Sequence, residues 1–167
     1  MQMTAGGIRV AVLTVSDTRT EVTDKGGPLV RELAQEAGME ITASVIVKDE
    51  PEAIRSAVAE WMTHEEVDII ITTGGTGIAR RDVTIEAVRP MLNKELDGFG
   101  ELFRFLSYEE IGTRAILSRA LGGSIGDKAV FVLPGSPGAV RLAMEKLIIP
   151  EAEHITKELT KHRQPRT

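Results

Sequence analysis

The sequence predicts an α/β domain in which helices cover both faces of a mainly parallel β-sheet, a three-layer arrangement. Three observations support this fold class. Short runs rich in β-branched residues alternate with helix-periodic segments, as they do in parallel βαβ units. The runs are almost continuously apolar, which is typical of strands that are buried on both faces. A chain of 167 residues is long enough for one domain with a sizeable core and too short for two ordinary ones.

Four strands and five helical segments follow from these patterns. The predicted strands are Ile8–Val15, Ile41–Val47, Val67–Thr73 and Ala129–Leu133. The apolar stripes that predict helices are Leu29, Val30, Leu33, Ala34 and Ala37; Ile54, Ala57, Val58 and Trp61; Ile85, Val88, Met91 and Leu92; Val140, Ala143, Met144 and Leu147; and Ala152, Ile155 and Leu159. The segment Asp97–Gly123 shows no such stripe and is expected to be less regular. We expect a single domain over residues 1–167, with 161–167 as a frayed tail.

Composition excludes several functional classes. The net charge of −5 and the pI near 5.3 argue against a nucleic-acid footprint, which usually needs a basic face. Cysteine is absent, so disulfide scaffolds, thiolate metal sites and cysteine nucleophiles are excluded. No apolar run reaches the ~20 residues of a membrane helix, and the first run lacks the features of a secretory leader. We therefore expect a cytoplasmic protein that binds neither nucleic acid nor membrane.

The turns that follow the predicted strands form the candidate site. In sheets of this kind, ligands bind beyond the carboxyl ends of the strands, at a switch in strand order. The four turns are Ser16-Asp17-Thr18, Asp49-Glu50-Pro51, Gly74-Gly75-Thr76-Gly77 and Pro134-Gly135-Ser136-Pro137-Gly138. Two of them carry carboxylates and two are rich in glycine and hydroxyl groups, so we expect a polar site at this edge of the sheet.

The turn after the third strand has the composition of an anion-binding loop. Its glycines allow positive φ and a close approach of the backbone to a ligand. Successive N–H groups can then form an anion-binding concavity, with the hydroxyls of Thr73 and Thr76 as further donors. A flexible turn is the alternative. The loop is not a dinucleotide fingerprint, because Arg80 stands where the third glycine belongs, and no NAD site is expected.

Two aspartates close to this loop have two interpretations each. Asp82 is either a helix cap or the ligand of a cation that accompanies a phosphate substrate beside Arg81. Thr84 is a second candidate for the helix cap. Asp49, with Glu52 three residues later, resembles a capping box. One carboxylate from each of two neighbouring strand ends would equally suit Mg²⁺, which takes oxygen ligands and substrate phosphates.

Other motif-like segments carry no chemistry. Gly122–Gly126 matches the nucleophile-elbow pattern but lies between a helical region and a strand, whereas an elbow needs strand, turn and then helix. His64-Glu65-Glu66 lacks the second histidine of a zinc-protease motif. All three histidines are interpreted as surface residues, and no zinc site is expected. By contrast, Leu133–Gly138 contains two prolines and two glycines, and predicts a rigid turn before a helix whose free N–H groups face an anion.

Taken together, these motifs resemble the MoaB/MogA family of molybdenum cofactor biosynthesis proteins. The resemblance is carried by four blocks in the order of the family: Val15-Ser16-Asp17, Thr72–Gly77 with Arg81-Asp82-Val83-Thr84, Ala115-Ile116-Leu117-Ser118-Arg119, and Leu133–Gly138. They span essentially the whole chain. The short length and the ending Pro150–Ile155 are more similar to the MoaB branch than to MogA.

The resemblance implies a Rossmann-like molybdopterin-binding fold, assembly into homotrimers or homohexamers, and a specific reaction. Active members adenylylate molybdopterin with Mg-ATP and release pyrophosphate before metal insertion. By motif, Asp82 and Asp49 correspond to two essential aspartates, the Mg²⁺ ligands. The implied substrate-binding residues are Ser16, Asp17, Thr73, Gly74, Gly75, Thr76, Gly77, Arg81, Glu86, Ser118, Pro134, Gly135, Ser136, Pro137 and Gly138. The alternative is a non-catalytic carrier or scaffold for molybdopterin.

Four of the six aromatic residues lie in the segment that lacks a clear pattern: Phe99, Phe103, Phe105 and Tyr108. Their spacing fits neither a helical stripe nor a strand cleanly. They either cover one end of the core or reach a neighbouring subunit, since aromatic residues are enriched at interfaces. The oligomeric habit of the family favours the second interpretation.

Overall fold

The fold is built on one six-stranded sheet, seen in a computed structural model that describes residues 6–163. The strands are β1 (Arg9–Val15), β2 (Glu40–Val47), β3 (Ile69–Thr73), β4 (Lys94–Glu95), β5 (Leu121–Ile125) and β6 (Lys128–Leu133). Their order is β2-β1-β3-β6-β5-β4. The first four strands in this order are parallel, and they are the four predicted from the sequence. The α/β fold class with a mostly parallel sheet is confirmed.

The helices follow the predicted stripes. They are α1 (Gly26–Glu36), α2 (Pro51–Met62), α3 (Thr84–Val88), α4 (Asp97–Ile111), α5 (Pro137–Ala143) and α6 (Ile149–Thr160). Short 3₁₀ segments follow α3 and α4, at Arg89–Met91 and Gly112–Leu117. A π-helical turn, Met144–Ile148, joins α5 directly to α6. Pro150 follows this turn and has no N–H to donate, so the regular α pattern is interrupted just before it.

Two apolar cores, one on each face of the sheet, hold the layers together. Alternate residues of β1 serve both faces: Val10 and Val12 pack under α1, α4, α5 and α6, while Leu13 and Val15 pack under α2 and α3. The side chain of Phe131 in β6 is 1% exposed and lies on the first face. Burial on both faces explains why these strands read as continuous apolar runs.

The expectation for Asp97–Gly123 was wrong. Instead of an irregular segment, the structure has the 15-residue helix α4, a 3₁₀ segment and strand β5. Phe99 and Phe103 lie one turn apart on α4 and are buried against the sheet, with ring centroids 6.3 Å apart. Phe105 and Tyr108 are more than half exposed. Phe99 and Phe103 therefore belong to the core, as the first interpretation expects, while contact of Phe105 and Tyr108 with a neighbouring subunit stays a prediction.

Strand β5 was missed because its sequence contains Gly122 and Gly123. At both positions a side chain would collide with neighbours: a Cβ at Gly122 would lie 3.0 Å from Phe99 Cβ, and one at Gly123 2.5 Å from the carbonyl oxygen of Lys94. These glycines allow α4 and β4 to approach the strand closely. The segment lies between a helical segment and β6, as expected, but it is itself a strand that turns at Gly126 into β6, which the sequence analysis did not predict.

The last described residues of the chain contact the β5–β6 turn, and the helices are short. Within residues 6–163, no helix is long and apolar enough to cross a membrane. Of the tail expected to fray, His162 and Arg163 contact Asp127 at 3.3 and 3.0 Å, while residues 164–167 lie outside the described part of the chain.

Substitution of Phe103 by alanine should destabilise the protein strongly, while Phe105→Ala on the same helix should have little effect. Phe103 is fully buried and its loss leaves a cavity, which costs about 3–5 kcal/mol. Phe105 is 59% exposed, so we expect a change within about 0.5 kcal/mol. Chemical denaturation of both variants measures the difference. Equal destabilisation by the two substitutions would contradict the placement of α4.

Candidate functional site

A cavity of about 800 Å³ opens at the carboxyl ends of the parallel strands. It lies where the strand order switches, because the chain continues from β1 to β2 at one edge of the sheet and from β3 to β4 at the other edge. All four turns predicted from the sequence contribute to its wall. The predicted site residues that line it are Ser16, Asp49, Thr73, Gly74, Gly75, Thr76, Gly77, Asp82, Ser118, Pro134, Gly135, Ser136, Pro137 and Gly138. Three others, Asp17, Arg81 and Glu86, lie outside the lining.

The glycine loop, Gly74–Gly77, turns sharply over the end of β1. Gly74 has φ +100° and Gly75 has φ +71°, and a Cβ at Gly74 would collide with the carbonyl oxygen of Val15. Only glycine meets both requirements. The Gly74 N–H donates to Leu133 O at 3.0 Å, and Thr84 donates from its hydroxyl to Gly74 O, also at 3.0 Å. The start of the loop is therefore held between β1, β6 and α3.

The middle of the loop presents free hydrogen-bond donors. Within residues 6–163, the backbone N–H groups of Gly75, Thr76, Gly77 and Ile78 have no hydrogen-bond acceptor. Thr76 is 4% exposed and Gly75 and Gly77 are half-buried, whereas Ile78 is exposed and lies outside the cavity lining. Buried N–H groups normally find a partner, and a run of unpaired ones is the pattern of an anion-binding concavity. This loop can bind phosphate oxygens through its backbone.

Arg119, which does not line the cavity, holds the same loop through its carbonyl oxygens. Its guanidinium donates to Thr76 O at 2.8 Å and to Gly77 O at 2.9 Å. Two further bonds, at 2.7 and 3.2 Å, go to the carboxylate of Glu86 on α3. The Arg119 guanidinium in turn lowers the pKa of Glu86, which therefore stays ionised at neutral pH. Glu86, expected to bind substrate, here contacts Arg119.

The two candidate carboxylates lie over the glycine loop. A Cβ at Gly75 would lie 2.9 Å from Asp49 Oδ1, and one at Gly77 would lie 2.6 Å from Asp82 Oδ2. The capping interpretations of both residues were wrong. Helix α2 has Glu50 at its N-cap with no side-chain cap, and α3 has Val83 there, also without one. Asp82 instead accepts the Ala79 N–H at 2.9 Å, within its own loop.

The surroundings of Asp49 disfavour the ionised form of its carboxylate. Partial burial raises its pKa, and the negative charges of Asp17 and Asp82 raise it further. Within the described residues its side chain takes part in no short salt bridge. A bound cation would relieve this repulsion, which makes Asp49 a fitting metal ligand.

Asp17, Arg81 and Glu50 form an ion-paired cluster just outside the cavity. Arg81 Nε and Nη2 each lie 2.9 Å from Asp17 oxygens, and Nη2 lies 3.0 Å from Glu50 Oε1. Asp17 also accepts the N–H of Asp49 at 3.0 Å. The cluster joins the turns after β1, β2 and β3, and Arg81 lowers the pKa of Asp17 through these bonds. It positions Asp49 and Asp82 by their backbones.

The second loop, Pro134–Gly138, closes the cavity from the β6 side. Pro134 O accepts the hydroxyl of Thr73 at 2.9 Å, which ties this loop to the end of β3. Ser136 caps α5 by accepting the N–H of Ala139, with Pro137 in the first turn. Ser118 lies opposite, 3.3 Å from the hydroxyl of Ser107 on α4. The rigid turn predicted from the sequence is thus present and faces the cavity.

Sequence reasoning missed the basic residues of the cavity. Arg19 and Lys25, from the β1–α1 connection, line it, and so does Arg114 from the 3₁₀ segment after α4. Asp24 also lines the cavity, but its carboxylate is engaged in hydrogen bonds within the protein. It accepts the Thr14 hydroxyl at 2.7 Å and the Gly27 N–H at 3.3 Å. The basic residues lie in irregular connections with no motif, so their common location could not be read from the sequence.

The donor set fits a magnesium ion only together with a substrate. No group of three His, Cys, Asp or Glu residues within 6–163 is arranged to hold a metal. Asp49 and Asp82 supply two carboxylates, and Mg²⁺ is commonly bound by one or two carboxylates plus substrate phosphates and water. Oxygen-only donors suit Mg²⁺ better than zinc.

Asp49→Asn should raise the melting temperature of the ligand-free protein at pH 7, while Asp17→Asn should lower it. Since the folded pKa of Asp49 is raised above the ordinary 3.8, its ionisation costs stability as pH rises through that pKa. The pKa of Asp17 is lowered, so its contribution is present above 3.8 and is lost in acid. Calorimetry between about pH 3 and 7 measures both, and a shift of the same sign for the two variants would contradict this assignment.

Comparison with known proteins adds an independent line of support. Residues 11–154 match the family model described as "Probable molybdopterin binding domain". Molybdenum cofactor biosynthesis protein B of Staphylococcus aureus is 60% identical over 157 residues, covering 92% of this chain and 93% of that protein. A crystal structure of a molybdenum cofactor biosynthesis protein B is 59% identical with TM-score 0.90, covering 94% of this chain and 97% of that chain. The crystal structure of the tungsten cofactor synthesizing protein MoaB from Pyrococcus furiosus is 41% identical with TM-score 0.82. The match covers 91% of this chain and 96% of that chain.

Proposed function

Since this chain belongs to the MoaB/MogA family of molybdenum cofactor biosynthesis proteins, we propose that it binds molybdopterin and adenylylates it with Mg-ATP. One observation carries the proposal. The free N–H groups of Gly75, Thr76 and Gly77 belong to residues that line the same cavity as Asp49 and Asp82. A phosphoryl or nucleotidyl transfer site typically combines backbone N–H groups that bind phosphate with carboxylates that bind a divalent cation.

The size and lining of the cavity suit two anionic substrates together. About 800 Å³ lies in the upper range of ligand pockets, which run from ~300 to ~1,000 Å³. The glycine loop and Pro134–Gly138 face it from two neighbouring strands, and Arg19, Lys25 and Arg114 bring positive charge to its wall. Two phosphate-bearing molecules could therefore be bound by different loops of one cavity.

In the reaction, an oxygen of the terminal phosphate of molybdopterin forms a bond to the α-phosphorus of ATP. The bond from that phosphorus to the bridging oxygen of the β-phosphate breaks, and pyrophosphate leaves with the electron pair. A phosphate monoester has a second pKa of about 6, so the nucleophile is already ionised near neutral pH. No histidine or other general base is required, and the chain contributes by orientation and charge.

Each part of the site has a defined task in this step. The N–H row of the glycine loop orients phosphate oxygens, and the Asp17–Arg81–Glu50 cluster holds the segments that carry Asp49 and Asp82. These two aspartates would hold Mg²⁺, which offsets the repulsion between the two anionic substrates when it is bound.

Asp82→Asn should reduce formation of adenylylated molybdopterin about 100-fold or more while leaving the fold intact. An asparagine oxygen can still accept the Ala79 N–H, so the loop keeps its shape, but the charge is lost. The measurement is purified protein with molybdopterin and Mg-ATP, monitoring adenylylated pterin and released pyrophosphate.

Asp127→Asn is the matched control, since Asp127 lies in the β5–β6 turn at the opposite end of the sheet. Its activity should equal that of the wild type. Wild-type turnover in Asp82→Asn would refute the cation-ligand role. A wild-type protein that binds molybdopterin but forms no product would be the carrier instead.

We also propose that the protein is a homo-oligomer, a trimer or hexamer, which associates through the exposed face of α4. Leu102, Phe105, Tyr108 and Ile111 recur every three residues along this helix and are each about half exposed. Ile116, in the 3₁₀ segment that follows, is 84% exposed. An apolar stripe of this length on a folded surface is typical of an interface. Because Ile111 also lines the cavity, the interface would border the site.

Phe105→Asp combined with Ile116→Asp should lower the particle mass measured by light scattering. A carboxylate in the middle of an apolar interface is left unpaired, whereas on a monomer surface it is tolerated. Met62→Asp, at the end of α2 on the other face of the sheet, is the control and should leave the mass unchanged. A monomeric wild type would refute the interface. Phe103 is unsuitable for this test because it belongs to the core.

A further inference from the structure

Arg119 lies next to the proposed site without lining it. Its side chain is 30% exposed and makes four hydrogen bonds, two to loop carbonyl oxygens and two to Glu86. The planar guanidinium is suited to such a set, since its donors point in fixed directions. No ligand-binding role is needed to explain these contacts, but they have a geometric consequence for the loop.

The consequence follows from the planarity of the peptide bond. No peptide bond among residues 6–163 is cis, so each carbonyl points opposite to the N–H of the same peptide unit. Thr76 O shares its peptide with the Gly77 N–H, and Gly77 O shares its peptide with the Ile78 N–H. Because both oxygens point to Arg119, both N–H groups point away from it. These are two of the four free donors described above.

We propose that Arg119 is a positioning residue: by holding the carbonyl oxygens of Thr76 and Gly77, it fixes the orientation in which the Gly77 and Ile78 N–H groups bind a phosphate-bearing ligand. Glu86 holds Arg119 in this place. The inference rests on the proposed function only in assuming that the glycine loop receives phosphate. Glycine peptides rotate at low cost, so without these bonds the two donors would lose their common direction.

Simple charge attraction makes a different prediction from positioning. If Arg119 acted only as a positive charge near the ligand, lysine would replace it, and neutralising Glu86 would strengthen anion binding. If Arg119 positions the peptides, lysine fails because an ammonium group cannot reproduce the planar set of donors. Glu86→Gln then weakens anion binding, although it removes a negative charge. The sign of the Glu86→Gln effect separates the two explanations.

The test is calorimetric titration of inorganic pyrophosphate into the full chain in metal-free buffer. Without metal, the carboxylates of Asp49 and Asp82 repel the anion to the same extent in every variant, and the other lining residues are unchanged, so differences in affinity between the variants report on the glycine loop. We expect Arg119→Lys to weaken binding by about tenfold and Glu86→Gln to weaken it by a smaller factor. Arg89→Gln is the control, because Arg89 forms a comparable 3.0 Å pair with Glu95 away from the cavity. It should bind like the wild type.

A spectroscopic readout distinguishes positioning from a general loss of structure. In the wild type, the backbone amide signals of Gly77 and Ile78 should shift when pyrophosphate is added, and in Arg119→Lys these shifts should be reduced. If Arg119→Lys fails to fold, Glu86→Gln carries the test, since Glu86 is 54% exposed and its loss leaves the core intact.

Three results would overturn the inference: a wild type that does not bind pyrophosphate, an Arg119→Lys variant that binds as tightly as the wild type, or a Glu86→Gln variant that binds more tightly. A wild type that binds pyrophosphate but forms no adenylylated pterin would refute the proposed function and leave this inference standing. A wild type that forms adenylylated pterin, together with unchanged pyrophosphate binding in Arg119→Lys, would support the proposed function and refute the positioning role of Arg119.

Discussion

The crossing of the glycine loop over the end of β1 is the constraint on which the site depends. Gly74 lies so close to the Val15 carbonyl that no side chain fits, and its φ of +100° excludes other residues as well. Once the chain turns there, its next four N–H groups are left without acceptors within residues 6–163. Every other feature of the site either supports this turn or faces the donors that it leaves free.

Support comes from three directions, and each uses a different kind of bond. Backbone and hydroxyl bonds from Thr84 fix the start of the loop, Arg119 fixes its middle, and the Asp17–Arg81–Glu50 cluster fixes the segment that follows. Exposed ion pairs contribute little to stability by themselves, typically below about 1 kcal/mol. These pairs join segments that are distant in sequence, so their value here lies in geometry.

The fold was largely predictable because the apolar composition of the parallel strands indicates that they are buried on both faces. Runs such as Ile69–Thr73 are apolar on both faces and can hardly be anything else. The antiparallel part was not predictable in this way, because Gly122 and Gly123 in β5 are present for close packing by neighbours that only the folded chain reveals. In α4, Phe99 and Phe103 are four residues apart, a helical signal that the exposed Phe105 and Tyr108 obscured.

For the site, the sequence predicted which turns meet but not what their side chains do. The carboxyl ends of parallel strands must lie at one edge, so the convergence of Asp49, Thr76 and Ser136 followed from order alone. The partners of Arg81 are 64 and 31 positions away, and those of Arg119 are 33 to 43 away, so these bonds leave no local pattern. Capping was one of two interpretations of Asp49 because a capping box is a local motif, but α2 has Glu50 at its N-cap, and the Asp49 N–H donates to Asp17 from a distant turn.

The charge distribution is compatible with the anionic substrates proposed for this acidic protein. Asp17 and Glu50 share the single positive charge of Arg81, and Glu86 is paired with Arg119, so part of the negative charge around the site is already compensated. Asp49, whose pKa is raised by burial and by its acidic neighbours, keeps an unfavourable charge that a cation would relieve. In the proposed reaction the phosphate nucleophile is already ionised, so the protein needs no tuned acid or base. It needs rigid donors and a place for a cation, and the paired charges outside the cavity provide the rigidity while leaving the charge inside it free to bind.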